Sequence, residues 1–175
     1  MKVVFLDIDG VVQPHNSFKR FDYMNDDTIR YLSCKYNANY FQYSKYDVCA
    51  VYVDWSKEAV ERLKYILDYT NSSIIISSNW RDPNNKYKIR DLLKIQGLDK
   101  YWVDDNPYII NQGSYHKERA SEINSSISKY NINNYLILDD MVELIRYFPD
   151  NFVCTKNFIK EEDVERSIKI LKKQS

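Results

Sequence analysis

The stretch that decides the fold is "VVFLDIDGVV", residues 3–12. An apolar run drives straight into Asp7 and Asp9, one residue apart, and then into Gly10. A buried strand normally avoids carboxylates, because desolvating an unpaired one costs several kcal/mol. Residues at i and i+2 of an extended chain project to the same side. Two carboxylates that close are compatible only with a shared cation or a bound proton. The rest of the chain must therefore supply partners for this pair.

Outward from that strand, short apolar runs alternate with amphipathic stretches, the pattern of a βα protein with a parallel sheet. Val3–Asp7 is the first strand. Ser56 caps a helix with Ala59, Val60, Leu63, Ile66 and Leu67 on one face. Ser73–Ser77 is the second strand, followed by the loop "SNWRDPNN" and a helix carrying Ile89, Leu92, Leu93 and Ile95, stopped by Gly97. Tyr101–Val103 is a short third strand with the long loop "DDNPYIINQGS" behind it. A helix over Lys117–Tyr130 leads to the fourth strand, "YLILDD". A helix at Met141–Phe148, a fifth strand at Phe152–Cys154 and a closing helix at Glu161–Lys173 complete the series.

Residues 13–56 break the rhythm. A usual connection is about 2–6 residues, and this one carries eleven aromatic side chains. Asp26–Tyr36 reads as a short helix, and "ANYFQY" with "DVCAVYV" around "SKY" reads as a hairpin. The chain is thus expected to form one domain, 1–175, with 13–56 as a flap or small cap.

Composition narrows the function classes. Lys+Arg and Asp+Glu both number 25, so no global charge draws the chain to nucleic acid or membrane. No apolar run approaches the roughly 18 residues of a membrane span. Asp7 interrupts the first apolar stretch too early for a secretion signal. Cys34, Cys49 and Cys154 are far apart and lack a CxxC spacing, so they read as reduced thiols of a cytoplasmic protein.

Ligands of open α/β sheets bind beyond the carboxyl ends of the strands. Here those ends carry Asp7-Ile8-Asp9-Gly10, Ser77-Ser78-Asn79, Asp104-Asp105 and Asp139-Asp140. Carboxylates from strands one and four are suited to a hard cation such as Mg²⁺, which takes oxygen ligands. "DIDGVV" resembles motif I of the haloacid dehalogenase superfamily, "SIIISS" its motif II and "YLILDD" its motif IV, in the right order on the right strands. "SSNWR", followed by "RASEI" and "LILDD", is similar to the small haloacid-dehalogenase-type domain of the Swiss Army Knife RNA-repair proteins.

That resemblance implies a Rossmann-like, three-layer parallel sheet and a Mg²⁺-dependent phosphomonoesterase. Asp7 is then the nucleophile, forming an aspartyl-phosphate. Asp9 is the general acid for the leaving oxygen and afterwards the base for water. Asp7, the Asp9 carbonyl and Asp139 are implied as Mg²⁺ ligands, with Asp140 in support. Ser77 is implied as a hydrogen-bond donor to a phosphoryl oxygen, aided by the following loop, Ser78 and Asn79. The cation of motif III is either Lys117, the usual residue type, or Arg119, which fits the spacing "RASEI"; residues two apart on a helix do not share a face.

Trp80 and Arg81 are placed either to stack and bind substrate phosphate or to pack the loop, with Arg81 paired to Asp82 or Asp105. His15 and His116 read as surface histidines, His15 being near enough to motif I to enter the site. Asp104 and Asp105 either join the metal site or start the loop. The aromatic and basic residues of 13–56 either stack bases of a nucleotide or nucleic-acid end or form a satellite core. Expected partners are thus a phosphorylated substrate and no membrane, with the protein a monomer. The competing classes are a catalytically idle nucleic-acid-binding domain and a phosphotransferase acting on a small metabolite. Intact Asp7 and Asp9 favour the enzyme.

Overall fold

Val3, Val4, Phe5 and Leu6 have no exposed surface, because their strand is covered on both faces. β1 (Lys2–Leu6) is central in an all-parallel sheet of order β3-β2-β1-β4-β5, in a computed structural model that describes residues 1–109 and 114–173. β2 (Ser73–Ile76) and β4 (Asn134–Asp139) flank it, with Leu6 level with Ile76 on one side and Leu138 on the other. β3 (Trp102–Asp105) and β5 (Phe152–Cys154) form the edges.

Alternation along the strands sorts the core into two layers. Val4, Leu6, Ile74, Ile76, Leu136 and Leu138 face α3 (Lys57–Thr70), α4 (Lys88–Gln96) and α6 (Glu161–Lys173). Val3, Phe5, Ile75 and Ile137 face α5 (Tyr115–Tyr130), through Ala120 and Ile123. Truncating Leu6, Ile74, Ile75, Ile76, Leu136, Ile137 or Leu138 to alanine should cost roughly 2–5 kcal/mol. The result is the three-layer, Rossmann-like α/β architecture expected from the alternation.

The chain has only three glycines; Gly97 (φ 65°) ends α4, and asparagine takes the same place on three other helices. α1 (Asp26–Tyr36), α3 and α5 each stop on an asparagine in the left-handed region: Asn37 (φ 49°), Asn71 (φ 53°) and Asn131 (φ 48°). After glycine, asparagine adopts that conformation at least cost.

Three local expectations are corrected. The hairpin expected within 13–56 is absent: after α1 come a 3-10 turn at Tyr40–Gln42 and α2 (Lys45–Cys49), which runs on into a π-helical turn at Ala50–Asp54. Val48, Val51 and Trp55 all enter the core, a helical spacing that overrides the β propensity of "DVCAVYV". The third strand is Trp102–Asp105 rather than Tyr101–Val103, and the helix expected at Met141–Phe148 is a 3-10 helix at Val142–Arg146. The long loop after β3 includes residues 110–113, outside the described residues.

The insertion is folded back on itself. Its end meets its start where the Ser56 amide donates to the Val12 carbonyl at 2.8 Å. The buried Arg20 and Asp54 side chains form an ion pair between its two ends. Tyr40, Tyr43 and Trp55 are buried, whereas Phe18, Phe21, Tyr31, Phe41 and Tyr46 are exposed. Among the described residues no helix is long and apolar enough to cross a membrane.

Candidate active site

The chain turns from one face of the sheet to the other between β1 and β4, and open α/β sheets bind ligands at such a switch point. Asp7 follows β1 there, its amide donating to the Leu138 carbonyl at 3.0 Å. Asp139 ends β4 alongside. Ser77 follows β2, its amide on the Leu6 carbonyl at 2.8 Å. The sheet register alone therefore brings three motifs together.

After Asp7 the chain makes one tight turn, with the amides of Val12 and Gln13 both donating to the Ile8 carbonyl at 3.0 Å. Gly10 makes the turn possible at φ +73°. A Cβ there would lie 2.5 Å from Asp140 Oδ2 and 2.8 Å from His15 Nε2. His15 Nε2 and Asp140 Oδ2 are 2.9 Å apart, and the His15 amide donates to Asn157 Oδ1 at 2.9 Å. His15 thus enters the site. His116 does not; its ring packs against Tyr147 at 6.1 Å.

Carboxylate oxygens of Asp7, Asp139 and Asp140 lie within 4.8 Å of one another. Arg119 serves this group from α5. Its Nη1 donates to Asp139 Oδ2 at 3.1 Å, lies 3.5 Å from Asp7 Oδ1 and also meets the Ser77 carbonyl. Its Nη2 donates to Asn79 Oδ1 at 3.2 Å and to the Tyr115 hydroxyl at 2.8 Å. Lys117 is exposed, on another face of α5. Geometry selects Arg119 as the cation at the acids.

One guanidinium does not balance three carboxylates. Burial raises the Asp7 carboxyl above its ordinary range, although Arg119 pulls it down. Burial and the neighbouring Asp7 charge raise Asp139 further. A divalent cation would restore both to the ionised form. The donor set is all oxygen, which suits a hard ion such as Mg²⁺.

Ser78 rather than Ser77 faces the site. It lines a cleft of about 180 Å³ with Asp7, Asp9, Asn79, Arg119 and Asp140, and its hydroxyl helps hold the Asp7 carboxyl down against burial. Ser77 is fully buried behind it, and its hydroxyl has no partner among the described residues.

Asp9 is half-buried and held at both oxygens: Gln13 Nε2 donates to Oδ1 at 2.8 Å and Trp80 Nε1 to Oδ2 at 2.9 Å. The Trp80 indole rests edge-on against Trp55, 6.3 Å between centroids. Arg81, expected to bind substrate or to pair with Asp82 or Asp105, turns inward instead. It donates to Glu122 Oε2 at 2.8 Å, to the Ser78 carbonyl at 2.5 Å and to the Asn106 carbonyl at 2.7 Å. Four acceptors, counting the Pro107 carbonyl at 3.2 Å, take four of the five N–H donors of this buried guanidinium, so it has no pair of donors to offer a phosphate. Asp104 and Asp105 are also apart from the acid cluster. Asp104 accepts from Lys129 at 2.8 Å and Asp105 from Trp102 Nε1 at 2.8 Å.

The ordered placement of a DxD turn, a serine strand end, a buried arginine and an acid pair around one cleft is matched by sequence comparison. The family described as "HAD domain in Swiss Army Knife RNA repair proteins" matches residues 3–164. The chain belongs to this HAD family. Comparison with curated proteins returns no match. Comparison with solved structures returns none either. HAD domains form a phosphatase-type hydrolase superfamily that generally uses Mg²⁺, and the acid cluster of this HAD domain has the donors for it. A wider hollow, about 790 Å³, is lined by none of the strand-end acids.

Gln13 and Tyr115 were not singled out from the sequence of this HAD domain. Tyr115 precedes Arg119 by one helical turn, a spacing that puts the two on one face. Gln13 carries no such signal, since its contact depends on the turn after Asp7.

Proposed function

We propose that the protein is a Mg²⁺-dependent phosphomonoesterase that works through an aspartyl-phosphate on Asp7. The reading is carried by one observation: the Asp7 carboxylate, at the switch point of the sheet, is gathered with Asp139 and Asp140 within 4.8 Å, and the Arg119 guanidinium reaches both Asp7 and Asp139. Asp7, Asp139 and Asp140, with the Asp9 carbonyl, would hold Mg²⁺, whose charge lets an anionic nucleophile approach a phosphate.

An Asp7 oxygen attacks phosphorus, forming the acyl phosphate bond as the ester P–O bond breaks. Arg119 faces the charge that gathers on the phosphoryl oxygens, and the Ser78 hydroxyl lines the cleft to donate to one of them. Asp9 gives its proton to the departing alkoxide. In the second step Asp9 takes a proton from water, whose oxygen attacks phosphorus and releases Asp7 and inorganic phosphate. Ser77 contributes its carbonyl, which anchors Arg119.

For the substrate we read a phosphorylated nucleotide or nucleic-acid end. The RNA-repair setting of the family and the exposed rings of the insertion support this.

Turnover of a generic aryl phosphate tests the chemistry. It should disappear with chelator and return with Mg²⁺. Asp7→Asn should abolish turnover while the chain stays folded, since an amide cannot attack phosphorus. Asp9→Asn should retain a burst of phosphoenzyme with an activated leaving group. Full turnover in chelator, or near-wild-type rates for Asp7→Asn, would overturn the reading.

A further inference from the structure

Asp9 and Asn79 line two cavities. One is the small cleft with Asp7 and Arg119. The other is an open groove of about 300 Å³ between the insertion and the loop after β2, walled by Arg20, Tyr46, Asp47, Trp80 and Lys88. We propose, resting on the phosphatase reading above, that this groove is the leaving-group subsite and takes an uncharged, ring-bearing alcohol of nucleoside type.

Position is the first support. In phosphoryl transfer the attacking and leaving oxygens stand roughly in line, so the leaving group departs away from Asp7. The residue that protonates the leaving oxygen must then border both the phosphoryl cleft and the space the alcohol occupies. Asp9 borders both cavities.

Wall chemistry is the second support. Both cations of the groove are already neutralised: Arg20 by Asp54 and Lys88 by Asp47 at 2.8 Å. A second phosphate would have to break one of those pairs to gain a contact. What the groove offers instead is ring surface. Tyr46 is 42 % exposed, yet its ring is braced by the Arg20 guanidinium at 4.2 Å and by the edge of Phe21 at 6.1 Å. A ring already held in place loses little freedom when another stacks on it. The volume is at the lower end of ligand cavities, enough for one such group.

The test compares kcat/KM of the full chain, with Mg²⁺, for acetyl phosphate, glycerol phosphate, the 3′- and 5′-isomers of a nucleoside monophosphate, and the nucleoside 3′,5′-bisphosphate. One nucleoside monophosphate should be preferred over glycerol phosphate by about tenfold or more, the scale of one stacking contact. Tyr46→Ala should lower that preference by about tenfold, chiefly through KM, while Tyr46→Phe, which keeps the ring, retains it. Tyr65→Ala, on the exposed face of α3, controls for the loss of a surface ring and should leave the preference alone. The bisphosphate should gain nothing over the monophosphate.

An unchanged preference in Tyr46→Ala, or a tenfold gain from the second phosphate, would overturn the subsite while leaving the phosphatase standing. No Mg²⁺-dependent turnover of acetyl phosphate by the wild type would remove the phosphatase reading, and the subsite with it.

Discussion

The indole N–H of Trp80 donates to Asp9 Oδ2 at 2.9 Å, tying the loop after β2 to the turn after β1. The carboxylate proposed above to handle the leaving-group proton is therefore aimed by a ring on another element. Trp80→Phe keeps an aromatic ring, smaller than the indole, and removes the donor. For an alkyl phosphate, whose departure needs the proton, kcat should fall about tenfold or more. For an activated aryl phosphate the loss should be much smaller. Plotting rate against leaving-group pKa checks this: the line should steepen in the variant, and parallel lines would show that Trp80 only packs.

Arg119 and Lys117 separate by burial. Arg119→Ala leaves Asp7 and Asp139 buried without their cation, a change of about 3–5 kcal/mol against the fold in metal-free buffer. Turnover should vanish as well. Lys117→Ala changes an exposed side chain and should stay within about 0.5 kcal/mol. Denaturant melts in chelator, read beside activity in Mg²⁺, compare the two directly.

Gly10 is constrained twice, by its φ of +73° and by the carboxylate of Asp140. Gly10→Ala should cost about 1–2 kcal/mol from the backbone alone. The new Cβ also pushes the Asp140 carboxylate and the His15 ring aside. The Mg²⁺ concentration giving half-maximal activity should rise, a shift measured by titrating the metal at fixed substrate.

Asp105 gives a pH prediction away from the cleft. Burial raises its carboxyl to about 6. The folded chain thus binds this proton more tightly than the unfolded chain does. The stabilisation is complete below the unfolded value near 3.8 and is lost as pH rises through about 6. Asp105→Asn cannot ionise, so it should be more stable than wild type at pH 7.5, by up to about 3 kcal/mol. The gap should close towards pH 4. Thermal melts of both proteins across that range measure it.

The parts of the site that could be read in the sequence are those where local chemistry is costly. Asp7 and Asp139 end apolar runs, and a carboxylate in such a place needs a partner wherever the chain goes. Between Lys117 and Arg119, spacing favours Arg119 and residue type Lys117; the packing of α5 decides by burying Arg119. The inward turn of Arg81 is hidden for a related reason: its partner Glu122 lies 41 residues away, on a helix whose rotation the sequence does not give. The bond from Trp80 to Asp9 spans 71 residues and depends on two loops meeting. Within the insertion, "DVCAVYV" follows its β propensity only locally. Burial of Val48, Val51 and Trp55 outweighs it.

The contact between the Ser56 amide and the Val12 carbonyl sets where change is affordable in evolution. A segment whose two ends leave the framework side by side can be lengthened, trimmed or exchanged while the strands beneath keep their register, because closing a longer loop adds little entropy. Within residues 13–56, the stretch beyond Gln13 and His15, which touch Asp9 and Asp140, is therefore the part of the chain best placed to change. The Asp7 turn and the acid pair are fixed by the sheet. New substrate preferences can arise by exchanging that stretch while Gln13 and His15 keep their contacts with the acids.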